Sequence, residues 1–295
     1  MMSSSPKYLV YSLMFILFII CKNAHSAFIP LFSKKDVKVE LVTSKGKIVI
    51  LLHSKTIKHR DNFIKLINNG FYDGVLFHRV INGFMAQAGD PNSKNPDFKG
   101  DLGNQSEGKT ISAEFYKEYY HKKGALAAAR MGDQVNPLKE SSGSQFYLVQ
   151  GQVYSLAQLQ QIELKINSQK ERALVGTFFN DPVNSKYLQR LEYCKQNNFQ
   201  DSINILVNEI KPLVMADQPI FKFSDKAIQD YSTVGGTPFL DGGYTVFGLV
   251  VEGLDVIDEI CSSPTSSGDR PKEDVVIISS RILNKIKCLK RLKKY

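Results

Sequence analysis

Three stretches of the chain combine aromatic side chains, neutral polar side chains and one arginine. The first is Phe71-Tyr72-Asp73-Gly74-Val75-Leu76-Phe77-His78-Arg79-Val80-Ile81-Asn82-Gly83-Phe84-Met85-Ala86-Gln87-Ala88-Gly89-Asp90; the second is Gly143-Ser144-Gln145-Phe146-Tyr147; the third is Phe239-Leu240-Asp241-Gly242-Gly243-Tyr244-Thr245-Val246-Phe247-Gly248. Together they offer apolar walls, amide side chains, and in Arg79 a planar guanidinium that stays charged and presents several donors. Taken singly each residue has a plainer use. Phe84 and Met85 could be strand core, Gln145 a sheet-edge polar residue, and Arg79 half of a surface ion pair. His78 reads as a hydrogen-bonded structural histidine. Phe146 alternates with Tyr147, so one of the two faces the core, and that role falls to Phe146.

Such side chains need rigid elements to bring them together. Residues 37–53 are two β-rich runs around a glycine-containing turn, a hairpin pattern. Asn62 to Ile67 carries apolar residues at helical spacing and ends at Asn69-Gly70, which predicts a short helix with a glycine stop. Strand and turn follow from Phe71 to Gly89. Further strands are predicted at 143–150, 244–251 and 275–283, with a short helix over 252–260. Strands separated only by short helices argue for a closed or sandwiched antiparallel sheet, not βαβ units. Residues 155–231 differ in character. Ser155-Leu156-Ala157-Gln158 is a capping-box pattern, followed by Leu156, Leu159, Ile162 and Ile166 at helical spacing. Ile203, Leu206, Val207 and Ile210 mark a second helix, expected to stop at Pro212, and Leu188 and Leu191 mark a third between them. Strand signals resume at Gly235-Gly236-Thr237-Pro238. This is a helical insertion in a β protein.

The first stretch matches, almost without a break, a signature F-Y-x-x-x-x-F-H-R-x-I-x-x-F-M-x-Q-x-G-D. With the other two stretches in order behind it, the chain strongly resembles the cyclophilin-type peptidyl-prolyl isomerases, of bacterial type, over about residues 38–150 and 233–283. The resemblance implies a mainly β fold: a closed antiparallel β-barrel capped by short helices, spanning 38–283 and interrupted by the helical segment 155–231. It makes Arg79 the catalytic arginine. Phe84, Met85, Tyr147 and Leu240 match positions lining the pocket for a proline ring. Gln87 and Gln145 match side chains that hold the substrate backbone and orient the arginine, and Gln87 is grouped with Arg79 as catalytic. Ala129 and Arg130 match the stretch whose backbone pairs with an extended peptide, although the family often has Asn where Arg130 stands. Tyr244 occupies a position with His in eukaryotic members and Tyr in many bacterial ones. Phe239 stands in place of a common Trp and, lacking an indole N–H, donates no hydrogen bond.

The implied reaction suits these residues. Rotation about an X-Pro bond crosses a barrier of ~18–20 kcal/mol, because amide resonance holds the bond planar. In the twisted transition state the prolyl nitrogen turns pyramidal and regains a lone pair. A donor aimed at that nitrogen is satisfied only there, which is the differential binding catalysis needs. No nucleophile, metal or cofactor is required. The implied partners are proline-containing peptides and unfolded or folding proteins. A reading of a different class keeps the same fold as a peptide-binding module or holdase, with the helical insertion as the client surface.

A length of 295 residues allows one large domain or two ordinary ones. With 43% hydrophobic and 23% charged residues, wholesale disorder and collagen-like character are excluded. The formal charge of +9 first suggests a nucleic-acid or acidic-membrane partner. Its distribution argues otherwise. Lys7 and Lys22 lie in 1–26, and Lys285, Lys287, Lys290, Arg291, Lys293 and Lys294 lie in 284–295, both without acids, so 27–283 holds 30 basic and 29 acidic residues. No nucleic-acid partner is expected, and weak membrane-surface contact is left to the basic tail. Leu9 to Cys21 is an apolar run too short for a membrane span of ~20 residues. With Lys7 before it and Ala24-His25-Ser26 after it, residues 1–26 read as a cleaved secretory signal, placing the protein outside the cytoplasm in the periplasm or cell envelope. An uncleaved anchor or a lipid on Cys21 is the rival. Cys194, Cys261 and Cys288 then remain, an odd number that leaves at least one thiol unpaired or pairing between chains. Clients, oligomeric state and disulfides are not legible.

Overall fold

The computed structural model describes residues 37–283. The expected signal segment 1–26, the tail 284–295, Cys21 and Cys288 lie outside the described residues. The hairpin forms from Val37–Thr43 (β1) and Gly46–Leu52 (β2), with Thr43 opposite Gly46. Glu40 sits in the middle of β1 at 4% exposure. Its carboxylate accepts from Arg281 Nε at 2.6 Å across the neighbouring strand, so the buried charge is paired.

Phe77–Ile81 (β3), Met85–Ala88 (β4), Ala125–Ala128 (β5), Phe146–Val149 (β6), Val246–Glu252 (β7) and Ile277–Ile282 (β8) complete an eight-stranded sheet. Its order is β3-β4-β6-β5-β7-β2-β1-β8, antiparallel throughout. The expected closed barrel is corrected here to a strongly curled, open sheet. The ends β3 and β8 form no ladder; they meet at their first residues, at the Leu76–Val276 bridge, where Phe77 N–H donates to the Val275 carbonyl and Ile277 N–H to the Val75 carbonyl, each at 2.8 Å. Farther along β8 the Ser280 N–H donates to the Asp73 carboxylate at 2.8 Å, so a side chain takes the place of a partner strand.

One face of the sheet closes on an aromatic core in which Phe146 packs against Phe63, Tyr72 and Phe77. Ile57–Asn68 (α1) supplies Phe63, Ile64, Leu66 and Ile67 to that core. It begins five residues before the expected helix because Glu114, remote in sequence, accepts from the Lys58 and His59 N–H groups and caps it. Leu254–Cys261 (α6) packs on β2, β3 and β4 through Val256, Ile257 and Ile260.

Between β6 and β7 the chain forms Leu156–Asn180 (α2), Ser185–Gln196 (α3), Gln200–Met215 (α4) and Asp225–Thr233 (α5). The Ser155/Gln158 capping box opens α2 as expected. Two apolar clusters hold the helices. Leu159, Phe223, Ala227 and Tyr231 gather beside the sheet, and Val175, Phe179, Leu191, Leu206 and Ile210 gather among α2, α3 and α4. The expected stop at Pro212 does not occur, since α4 runs through it to Met215. Packing of Ile210 and Val214 in the second cluster offsets the backbone hydrogen bond that proline cannot make. Where strand signals resume, Gly236 makes isolated bridges to Lys122 and Gln152, and Pro238–Leu240 is a single 3₁₀ turn before β7.

Candidate active site

Strand register assembles the site. Arg79 on β3 lies opposite Gln87 on β4, Gln87 opposite Tyr147 on β6, and Tyr147 opposite Ala127 on β5. Directly opposed residues share a face, so guanidinium, amide and phenol stand in one row on the side away from Phe146. Met85, two residues before Gln87, joins them. Ala125, Ala127 and Ala129 on and just after β5 carry only methyl groups, which leaves the floor beside Tyr147 recessed.

The result is a pocket of about 120 Å³, lined by Arg79, Phe84, Met85, Gln87, Ala129, Arg130, Tyr147, Leu240 and Tyr244. Sites for drug-sized ligands run to about 300–1,000 Å³, so this one has room for a single small ring. Phe84 reaches it from the β3–β4 turn, where Gly83 adopts φ +73° and the Phe84 carbonyl accepts from Gln150 and Gly151 N–H at 3.0 Å. Leu240 enters from its 3₁₀ turn. Two expected residues stand outside the lining. Phe239 is 46% exposed and lies against the Phe84 ring at 5.7 Å between centroids. Gln145 is buried behind the row.

The hydrogen bonds revise one expectation. Gln87 and Gln145 do not hold Arg79; they brace each other, Gln87 Nε2 donating to Gln145 Oε1 at 2.9 Å. Gln145 in turn donates to the Gly103 and Gln105 carbonyls at 2.9 and 2.6 Å. Arg79 Nε instead donates to Asp269 Oδ2 at 3.2 Å. The Asp269 turn brings that carboxylate to β3 with φ +62°, uncommon for a residue with a side chain. No pattern in the sequence marks Asp269; its bond to Arg79 exists only in the folded chain. Across the pocket, Arg130 stacks on the Tyr244 ring at 4.4 Å, donates to the Gly243 carbonyl at 2.6 Å and pairs with Asp133 at 2.6 Å. Each arginine thus pairs with an aspartate, and Arg130 is further held by the Tyr244 ring.

His78 alternates to the other side of β3 and is buried, with neither ring nitrogen hydrogen-bonded among the described residues. Burial lowers its pKa to about 4 against the opposing charge of Asp90. Burial also pushes the Tyr147 phenol well above the ordinary range, with Tyr244 and Asp241 adding to the shift, so its proton stays on. Beneath Tyr147 lies His121, which no sequence motif marks and whose Nε2 is 3.0 Å from the phenol oxygen.

Comparison with known proteins identifies the family. A family model for cyclophilin-type peptidyl-prolyl cis-trans isomerases matches residues 38–162 and 180–282; the unmatched residues between fall in α2. A Staphylococcus epidermidis protein, provisionally named a peptidyl-prolyl cis-trans isomerase, is 30% identical over 246 residues, 83% of this chain and 90% of that one. A Staphylococcus saprophyticus protein with the same provisional name is 27% identical over 250 residues, 84% and 92% of the two chains. In fold, the chain is similar to a crystal structure of a Cryptosporidium parvum cyclophilin-type isomerase, with TM-score 0.50 and 19% identity over 85% of this chain and 99% of the other. A match that runs from β1 to β8, broken only within α2, makes the assignment: the chain belongs to the cyclophilin-type peptidyl-prolyl cis-trans isomerase family.

Proposed function

We propose that the protein speeds rotation about X-Pro bonds in exported proteins as they fold, by Arg79 stabilising the twisted amide. The observation that carries this reading is a permanently charged multi-donor side chain lining, with Phe84, Met85, Tyr147 and Leu240, a pocket sized for one ring. The proline ring enters between Phe84, Met85, Tyr147 and Leu240. Ala129 and Arg130 offer backbone to the extended peptide beside it, and Gln87, braced by Gln145, presents its amide to the substrate backbone. Arg79 keeps terminal N–H groups for the prolyl nitrogen while Nε is occupied by Asp269. Once bound substrate excludes water from the site, one such donor is worth ~3–4 kcal/mol, about 10²–10³ in rate. Uncatalysed X-Pro isomerisation takes tens of seconds, slow enough to limit folding. A protease-coupled assay on an Ala-Pro test peptide is expected to show acceleration by the purified chain; an unchanged rate would overturn the reading.

The apolar run Leu9–Cys21 with Ala24-His25-Ser26 supports export. Amino-terminal sequencing of the secreted chain is expected to start at Ala27, and retention of residues 1–26 would place the protein on the anchored alternative. A second reading, a holdase role of the helices, is favoured by exposed Leu164, Val183, Ile205 and Ile220. Aggregation suppression that survives loss of Arg79 supports it.

A further inference from the structure

We propose that Tyr231, on the last helix between β6 and β7, is a positioning residue for the proline pocket, acting through Asp241 and His121 on Tyr147. The proposal rests on the isomerase reading of that pocket and gives α5 a part in it. The Tyr231 hydroxyl donates to Asp241 Oδ2 at 2.6 Å. The other oxygen, Oδ1, accepts from the His121 backbone N–H at 2.9 Å and lies 2.7 Å from His121 Nδ1. His121 Nε2 lies 3.0 Å from the Tyr147 hydroxyl. Tyr231, His121 and Tyr147 are all buried, at 0%, 1% and 4% exposure, so water cannot replace a lost bond.

The chemistry fixes a direction along this line. In the tautomer with its proton on Nδ1, facing the carboxylate, Nε2 accepts and Tyr147 donates to it. Each group has one compatible partner on each side. Asp241 also follows Leu240 directly in the chain, so the same carboxylate steadies two walls of the pocket. At the far end Tyr231 is held independently of its hydroxyl. Its ring packs against Tyr120 and Phe223 at 5.6 and 5.5 Å, and its carbonyl accepts from Tyr154 N–H at 3.0 Å. Next to it, Asp230 accepts from the Tyr120 hydroxyl at 2.6 Å and ties α5 to the segment leading into β5. Replacing Tyr231 by Phe therefore keeps the packing and removes the bond to Asp241.

The test is a double-mutant cycle in the full chain: steady-state isomerisation of an Ala-Pro peptide by wild type, Y231F, Y147F and the double variant. Each single change is expected to raise KM three- to tenfold with kcat within twofold, and the double to exceed the larger single by less than twofold. A purely structural role lowers apparent kcat with the folded fraction and leaves KM unmoved, which would overturn the proposal, as would additive effects. Should Y231F not fold, D241N takes its place under the same criteria. The ¹⁵N shift of His121 Nε2 separates this proposal from the isomerase reading. If wild type shows no turnover, that reading fails, yet a shift altered by Y231F upholds the coupling and an unaltered one ends it.

Discussion

At the scale of single residues, the site is two arginines and a glutamine around a small recess walled by Phe84, Met85, Tyr147 and Leu240, each arginine paired with an acid. Arg79, Phe84, Met85 and Gln87 were legible because they fall in one continuous stretch whose alternation and turn glycine already define a hairpin. Asp269 was not, because it meets Arg79 across 190 positions of sequence through a left-handed turn. The pair is open to solvent, at 42% and 44% side-chain exposure, so its worth is that of a surface ion pair, about 0.2–1 kcal/mol. Asp269→Ala is accordingly expected to lower kcat/KM about two- to fivefold by freeing the guanidinium, while Asp269→Asn, which keeps an acceptor, loses less. Peptide kinetics on the two variants check the order; equal activity in all three forms would remove Asp269 from the arginine's support.

At the scale of elements, strand register does the positioning, and close backbone approach maintains the register. Gly89 ends β4 at φ +101°, and a Cβ there would stand 2.2 Å from the Ser144 carbonyl oxygen. Gly89→Ala is expected to cost about 2–4 kcal/mol, read as an earlier urea midpoint, because strain and clash act together. An unchanged midpoint would mean the two segments separate freely. Elements were legible where local pattern decides them: the first hairpin, the Ser155 capping box and the β7–α6 sequence. They were misread where a distant group decides. The start of α1 is set by Glu114, in which burial raises the carboxyl pKa but the His59 ring and N–H bonds outweigh it and leave it lowered. The passage of α4 through Pro212 is set by the cluster its neighbours fill.

At the scale of the molecule, the composition of residues 27–283 is almost charge-neutral, and the sheet curls without closing because side-chain bonds, such as Ser280 to Asp73, end the pairing of its edges. Neither the open seam nor the linkage of helices to pocket has a sequence signal, since both arise from tertiary hydrogen bonds. His78 ties global stability to acidity. Its folded pKa is about 4, below the ordinary 6.5 of the unfolded chain, so protons favour unfolding. The stability it permits is complete above pH 6.5 and falls by about 3 kcal/mol as pH drops to about 4. Unfolding midpoints across that range are expected to drop in wild type and to flatten in His78→Asn; parallel curves would place the acid sensitivity elsewhere. The proposed mechanism turns on Arg79. In Arg79→Ala, kcat/KM on an Ala-Pro peptide is expected to fall about 10²–10³-fold with the melting temperature little changed, and activity within a few-fold of wild type would contradict transition-state stabilisation by this side chain.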